Sequence, residues 1–206
     1  MQLRFKTTLS SREYATEQAW RDASLERCPL HPDGGCSFAR HGTYGRVDPP
    51  GTRIPRWYCP EGHCTFSLLA DCFASRLPGS LRDLEQVVGE VERAPSLEAA
   101  ANDLRTDDIA LPGALRWTRR RVQGVHAALR IVLTLFPECC CGCSPTITAL
   151  RQCLGVEWVL PRVREMAAVH LGMLPAPVGF ASPRLTANHG GPHQHDQGPD
   201  PPPGIR

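Results

Sequence analysis

Cysteine, histidine, glycine and proline are concentrated in two short segments, and their spacing constrains the fold more than any other feature of the sequence. The first segment reads CPLHPDGGC over residues 28–36, and the second reads CPEGHC over residues 59–64. Zinc ribbons hold one ion between two such turns, because ligands on a tight turn can both point at one tetrahedral centre. So short a segment buries too little apolar surface to fold alone, and a bound metal supplies the missing free energy. The sequence therefore predicts a metal-stabilised β unit over residues 28–78.

A four-ligand site needs one pair of ligands from each turn, and each turn offers more donors than such a site can use. The cysteines that begin the two turns are both followed by proline and are the first two predicted ligands. Thiolates are the commoner ligands of structural zinc, so cysteines are also predicted for the other two positions. The predicted Zn²⁺ ligands are therefore Cys28, Cys36, Cys59 and Cys64, with His63 and then His31 as alternates.

A second group of cysteines lies at residues 139–143, with Cys153 nearby. Adjacent cysteines point in different directions and cannot all bind one ion without a contorted backbone. A second zinc site is therefore not favoured here, and the role of this cluster stays open.

The compartment and the overall charge limit the classes of partner. The N-terminal residues lack the apolar core and cleavage site of a signal peptide, and no stretch approaches the ~20 apolar residues of a membrane span. We therefore expect a cytoplasmic protein with no membrane association, in which ten cysteines are metal ligands or free thiols rather than disulfides. The net charge is only +2, so any attraction to nucleic acid must come from a local basic patch.

Composition divides the chain into five segments. Residues 1–27 are a lead-in with a short helix, residues 28–78 are the metal-stabilised unit, and residues 79–137 have the apolar period of helices. Residues 138–181 hold short helices of unknown role, and residues 182–206 are rich in glycine, proline and histidine. The expected fold class is a small zinc ribbon of β structure, then an all-α, helix-turn-helix-like region, then a disordered C-terminal tail.

The helical region fits the plan of a helix-turn-helix motif, in which the second helix enters the major groove. Residues 96–104 would be the positioning helix with Ser96 as its N-cap, and residues 105–110 would be the turn. Residues 111–122 would be the recognition helix, the first part of a predicted helix over residues 111–135. The turn is longer than the three or four residues usual in this motif.

Charge is polarised along the helical region. Residues 80–108 hold eight acidic residues and three arginines, whereas residues 109–135 hold five arginines and no acid. Guanidinium groups match phosphate in a forked geometry, so we predict that this helix contacts DNA and that the ribbon adds a second set of contacts. The predicted DNA-binding residues are Arg116, Arg119, Arg120 and Arg121 of the helix, with Arg40, Arg53 and Arg56 of the ribbon.

The residues around these motifs resemble the N-terminal zinc ribbon of bacterial insertion-sequence transposases and their accessory DNA-binding proteins. The matching positions are Arg40, His41, Gly42, Arg56, Trp57, Tyr58, Cys59, Thr65, Phe66 and Ser67. Trp117 followed by three arginines also looks like the recognition helix of these transposases. Gly62 departs from the pattern because it stands where the family has its final cysteine, so the fourth ligand stays open between His63 and Cys64.

The resemblance implies a transposon-associated, zinc-dependent protein that binds double-stranded DNA, together with a separate transposase or further copies of itself. An integrase-type catalytic core places three carboxylates around metal ions on a β-rich domain. The chain after residue 135 is too short and too helical for such a core, so we expect no enzymatic activity and no small-molecule substrate. The alternative function is a zinc-scaffolded protein–protein interaction module.

Overall fold

The computed structural model describes residues 1–106, 108–140 and 142–181, which form a four-stranded sheet and six α-helices. The segment predicted as a disordered tail, residues 182–206, lies outside these described residues. Among the described helices, none combines the length and the apolar character needed to cross a membrane.

The sheet has the strand order β1–β4–β3–β2. Its strands are β1 (Gln2–Phe5), β2 (Ala39–Gly45), β3 (Arg53–Cys59) and β4 (Cys64–Ala70). Strands β2, β3 and β4 pair antiparallel, and β1 joins the far side of β4 in parallel. Strands β3 and β4 are joined by a tight turn that makes Cys59 and Cys64 the last paired residues.

The first residues of the chain belong to the core of this sheet. Helix α1 (Ser11–Thr16) begins after Ser10, whose hydroxyl accepts the N–H of Glu13, and a single 3-10 turn follows at Ala19–Arg21. Tyr14 and Trp20 are 0% and 7% exposed and pack with residues of β3 and β4. The sequence predicts only a loosely packed helix here and does not predict β1, because a four-residue strand gives no clear period.

The remaining helices are α2 (Leu81–Arg93), α3 (Leu97–Leu104), α4 (Leu111–Leu135), α5 (Ile147–Leu154) and α6 (Val159–Met166). Helix α2 begins at a reciprocal cap in which Ser80 and Asp83 each accept the other's backbone N–H. Helix α3 begins at Ser96, whose hydroxyl accepts the N–H of Ala99. This N-cap and the bounds of α4 agree with the sequence prediction.

Helices α2, α4, α5 and α6 pack around one apolar cluster. Two carboxylates of α2, the buried Glu85 and the partly buried Glu92, fix the starts of α6 and α5. Glu92 accepts the N–H groups of Ile147 and Thr148, and Glu85 accepts those of Val159 and Leu160. A carboxylate at these positions satisfies free N–H groups and complements the positive end of the helix dipole.

Arg164 of α6 joins the helices to the sheet. Its side chain is 1% exposed, and its guanidinium donates to the carbonyl oxygens of Asp71 and Phe73 after β4 and of Pro177 and Val178 near the end of the described chain. Burial lowers the pKa of Arg164 to about 10, so the group remains protonated at neutral pH. The buried Arg164 side chain therefore joins helix α6 to the segment that follows the sheet.

Candidate metal centre and basic surface

A turn, the loop that follows it and the end of strand β3 bring four metal-ligating side chains together beside the sheet. The group consists of Cys28, His31, Cys36 and Cys59, and their ligand atoms all lie within 4.8 Å of one another. His31 Nδ1 lies 3.5 Å from Cys28 Sγ and 3.4 Å from Cys59 Sγ. These four residues could hold a metal ion.

The turn that contains Cys28 and His31 is closed by a hydrogen bond from the His31 N–H to the Cys28 carbonyl, at 3.1 Å. Two residues separate these ligands, so the turn directs the imidazole to the same side as the Cys28 thiol. The opposite turn begins at Cys59, whose sulfur accepts the N–H of Gly62 at 3.3 Å. A side chain at Gly62 would displace the end of the Leu30 side chain, so glycine allows the two turns to approach each other without that shift.

Cys36 reaches the group from a loop that stands away from the sheet. Gly34 and Gly35 in this loop have φ angles of 91° and 84°, a left-handed conformation that glycine adopts without steric cost. A cleft of about 520 Å³ opens between the loop and the preceding turn, and Cys28, His31 and Cys36 contribute to its wall. The group is therefore reachable from solvent on this side.

The two thiols on this side have opposite pKa shifts. Burial raises the pKa of Cys28, but hydrogen bonds from His31 and from the N–H groups of Leu30 and His31 outweigh burial and lower it to about 7. Burial and the neighbouring Cys28 thiol raise the pKa of Cys36 to about 11. A bound cation would offset both the burial and the repulsion between thiolates, so binding would release thiol protons.

The structure brings together three of the four predicted ligands and replaces the fourth. Cys64 lies outside the group, because it begins β4 with its sulfur 3.9 Å from the carbonyl oxygen of Thr65. His63 also lies outside, because its backbone is left-handed at φ 45° and its ring lies 3.5 Å from the Tyr58 hydroxyl. The fourth donor is His31, the second alternate. Its C-x2-H spacing from Cys28 is the sequence signal that would have favoured it.

The described cysteines near residue 140 do not form a comparable group. Cys153 Sγ lies 3.1 Å from the carbonyl oxygen of Cys139, and Cys140 is buried. Among the described residues, which omit Cys141, the group of four beside the sheet is the one in which three or more possible ligands converge.

Helix α4 separates its side chains into a buried face and an exposed face. The buried face carries Ala114, Thr118, Arg121, Val125, Ala128, Leu129 and Val132. The exposed face carries Arg116, Arg119, Arg120 and Arg130, which we call the arginine face, together with Gln123. At 3.6 residues per turn these positions form one stripe along the helix. In the part of the chain that the structure describes, the guanidinium groups of Arg116, Arg119 and Arg130 have no hydrogen-bond or ion-pair partner.

The other predicted DNA contacts have different surroundings. Arg121 is 7% exposed, stacks on the Trp117 ring at 3.7 Å and donates to the Trp117 carbonyl. It is therefore buried, although it was predicted to contact DNA. Arg40 donates to the carbonyl oxygens of Trp20 and Arg21. Arg53 donates to the Thr43 hydroxyl, and Arg56 stacks on the Tyr44 ring. Arg40 and Arg53 are exposed, as are three of the four predicted arginines of α4. The difference is that the guanidinium groups of Arg40 and Arg53 already donate to groups of the fold.

Comparison with protein families, with curated proteins and with solved structures found no match to this chain.

Proposed function

We propose that the chain is a zinc-dependent protein that binds double-stranded DNA through the arginine face of α4 and has no catalytic domain of its own. The observation that carries this proposal is the stripe of exposed arginines on a helix whose opposite face is buried. The resemblance of the sequence to transposase N-terminal regions supports an association with a transposable element. A separate transposase, or another copy of the chain, would then act on the same DNA.

Zinc is the metal that the donor set favours. Three thiolates and one imidazole make a Cys₃His set, which is typical of structural zinc sites. Tetrahedral zinc holds sulfur at ~2.3 Å and imidazole nitrogen at ~2.0 Å, which separates the two donors by about 3.5 Å. His31 Nδ1 lies 3.5 and 3.4 Å from the sulfurs of Cys28 and Cys59. With four protein ligands the ion would be structural, tying the two turns and the Cys36 loop to the end of β3.

The dimensions of the arginine face suit a nucleic-acid duplex. The fourteen steps from Arg116 to Arg130 span ~21 Å at a rise of 1.5 Å per residue. An α-helix fits the major groove, where its sides lie against the phosphate strands. Arginines spread along such a length can neutralise several phosphates, and the release of counterions then provides affinity.

Gln123 lies within this stripe and is exposed. Glutamine can donate to and accept from adenine N7 and N6 at once, whereas phosphate contacts carry no direct sequence information. We therefore assign Gln123 to base recognition and the flanking arginines to the DNA backbone.

The test is a fluorescence anisotropy titration of the zinc-loaded chain with duplex DNA at several salt concentrations. Arg116→Ala, Arg119→Ala and Arg130→Ala should each flatten the salt dependence by about 0.9 in log K per log salt for each phosphate that the variant no longer neutralises. Gln123→Ala should leave that slope unchanged and should lower the preference for adenine at one position of a randomised duplex. Arg12→Ala is the matched control, because Arg12 is exposed on α1 and its replacement removes the same charge.

Two results would overturn the proposal. One is the absence of salt-dependent binding to any duplex at protein concentrations up to about a millimolar, well above ordinary non-specific affinities. The other is a set of α4 variants whose salt dependence matches that of Arg12→Ala. Either result would favour the protein–protein interaction module, in which α4 binds another protein.

A further inference from the structure

The loop that carries Cys36 has little support of its own. It leaves the Cys28–His31 turn through a hydrogen bond from the Gly34 N–H to the His31 carbonyl, at 3.1 Å. Side chains added at Gly34 and Gly35 would meet nothing within 4 Å, so the loop projects into open space there. It returns to the sheet at Phe38, whose ring packs edge-on against Phe66. Cys36 lies between these two ties.

Glu61 supplies the contact that joins this loop to the opposite turn. Both carboxylate oxygens accept the N–H of Ser37, each at 3.1 Å, next to Cys36 in the sequence. Glu61 itself lies in the turn that begins at Cys59, and one of its oxygens is 3.9 Å from the Cys59 sulfur. One side chain therefore connects the backbone beside one ligand to the turn that holds another.

A carboxylate this close to a thiolate is unfavourable on charge alone, since two negative groups repel. Its position is explained by the loop that it holds. Groups that hydrogen-bond around the ligands of a metal commonly fix the ligand geometry, and their removal typically lowers metal affinity by roughly 10–100-fold.

We infer that Glu61 is a positioning residue for the metal centre, which holds Cys36 within reach of the ion by fixing the Ser37 N–H. This inference rests on the proposed metal site but not on DNA binding. Without Glu61 the Cys36 loop would have to be ordered at the moment of binding. The other three ligands would bind first, and Cys36 would close the site incompletely or slowly.

The chain offers a matched control for the charge of Glu61. Glu26 is exposed and lines the same cleft, so Glu26→Ala removes an equal charge near the centre. Within the described residues, Glu26 has no hydrogen bond to the Cys36 loop. Alanine leaves no acceptor for the Ser37 N–H, whereas glutamine would keep one. A difference between Glu61→Ala and Glu26→Ala therefore isolates the hydrogen bonds to Ser37 from the general effect of charge.

The experiment titrates the full chain with Co²⁺, whose thiolate-to-metal charge-transfer absorption grows with the number of coordinated thiolates. Wild type and Glu26→Ala should give the same affinity and the same absorption at saturation. Glu61→Ala should bind roughly 10–100-fold more weakly, and its absorption should shift toward that of Cys36→Ser, which lacks one thiolate. A loss of fold alone would lower the affinity without this change in absorption per bound ion.

An affinity and absorption of Glu61→Ala that match those of Glu26→Ala would overturn the inference while leaving the metal site intact. A wild-type chain that binds no Co²⁺ would overturn the metal site and the inference together. If Glu61→Ala does not fold, amide hydrogen exchange of the metal-loaded wild type decides. Protection of the Ser37 amide supports its hydrogen bond to Glu61, and exchange at the rate of a free loop overturns the inference.

Discussion

Replacing His31 and Cys64 separately gives the most direct test of the proposed metal centre. His31→Ala removes a donor that lies within 3.5 Å of two of the other ligands, whereas Cys64→Ser changes a sulfur outside the group. Structural zinc contributes about 10–16 kcal/mol, or roughly 2.5–4 kcal/mol for each of four ligands if they share it equally. His31→Ala should therefore weaken zinc binding by about 100–1000-fold.

The assay is competition for zinc against a chromophoric chelator, with each variant refolded in the presence of excess zinc. Cys64→Ser is the control, because serine keeps the pairing with Cys59 at the end of the hairpin. Its zinc affinity should equal that of the wild type. The reasoning is refuted if Cys64→Ser costs as much affinity as His31→Ala, since Cys64 would then replace His31 as the fourth ligand.

Two further predictions concern stability. Removing the metal should raise the amide exchange rates of residues 28–38 and 59–64. The rates at Ile54 and Leu69 should stay unchanged, because these residues pack in a separate apolar cluster. Loss of protection across the whole sheet would contradict this prediction. Glu92→Gln should lower the free energy of unfolding at neutral pH by roughly 1–3 kcal/mol, because the first N–H groups of α5 lose a charged acceptor. Burial raises the pKa of Glu92, but its hydrogen bonds outweigh burial and lower it. The difference from wild type, measured by urea unfolding, should therefore be complete above about pH 4.3 and disappear as the pH falls through the lower folded pKa.

Local signals in the sequence are sufficient to predict helices α3 and α4 and three members of the group that could hold a metal ion. Ser96 and Pro112 mark the starts of α3 and α4, and each acts within one turn of its own position. The C-x2-H spacing at Cys28 is equally local. The general preference of structural zinc for thiolates favours Cys64 over His31, but spacing on a turn is the stronger constraint on which atoms converge.

Contacts between distant residues could not be predicted in the same way. Glu61 contacts Ser37 across the gap between two turns, and nothing in CPEGHC distinguishes it from a solvated acid. Arg121 belongs to a run of three arginines, and only the packing of α4 decides that it is the buried one. Strand β1 depends on pairing with β4, more than sixty positions away. In each case the position follows from tertiary packing rather than from local preference.

Some arginines already donate hydrogen bonds to the backbone through their guanidinium groups, and others do not. This difference limits where a polyanion can bind. Arg46 donates to three backbone carbonyls after β4, and Arg164 donates to four, so a phosphate would have to replace bonds that hold the chain together. Arg40 is held in a similar way at the 3-10 turn. Arg116 and Arg119 face no such competition among the described residues. These contacts therefore favour the arginine face of α4, rather than the arginines near the sheet, as the surface for the proposed DNA binding.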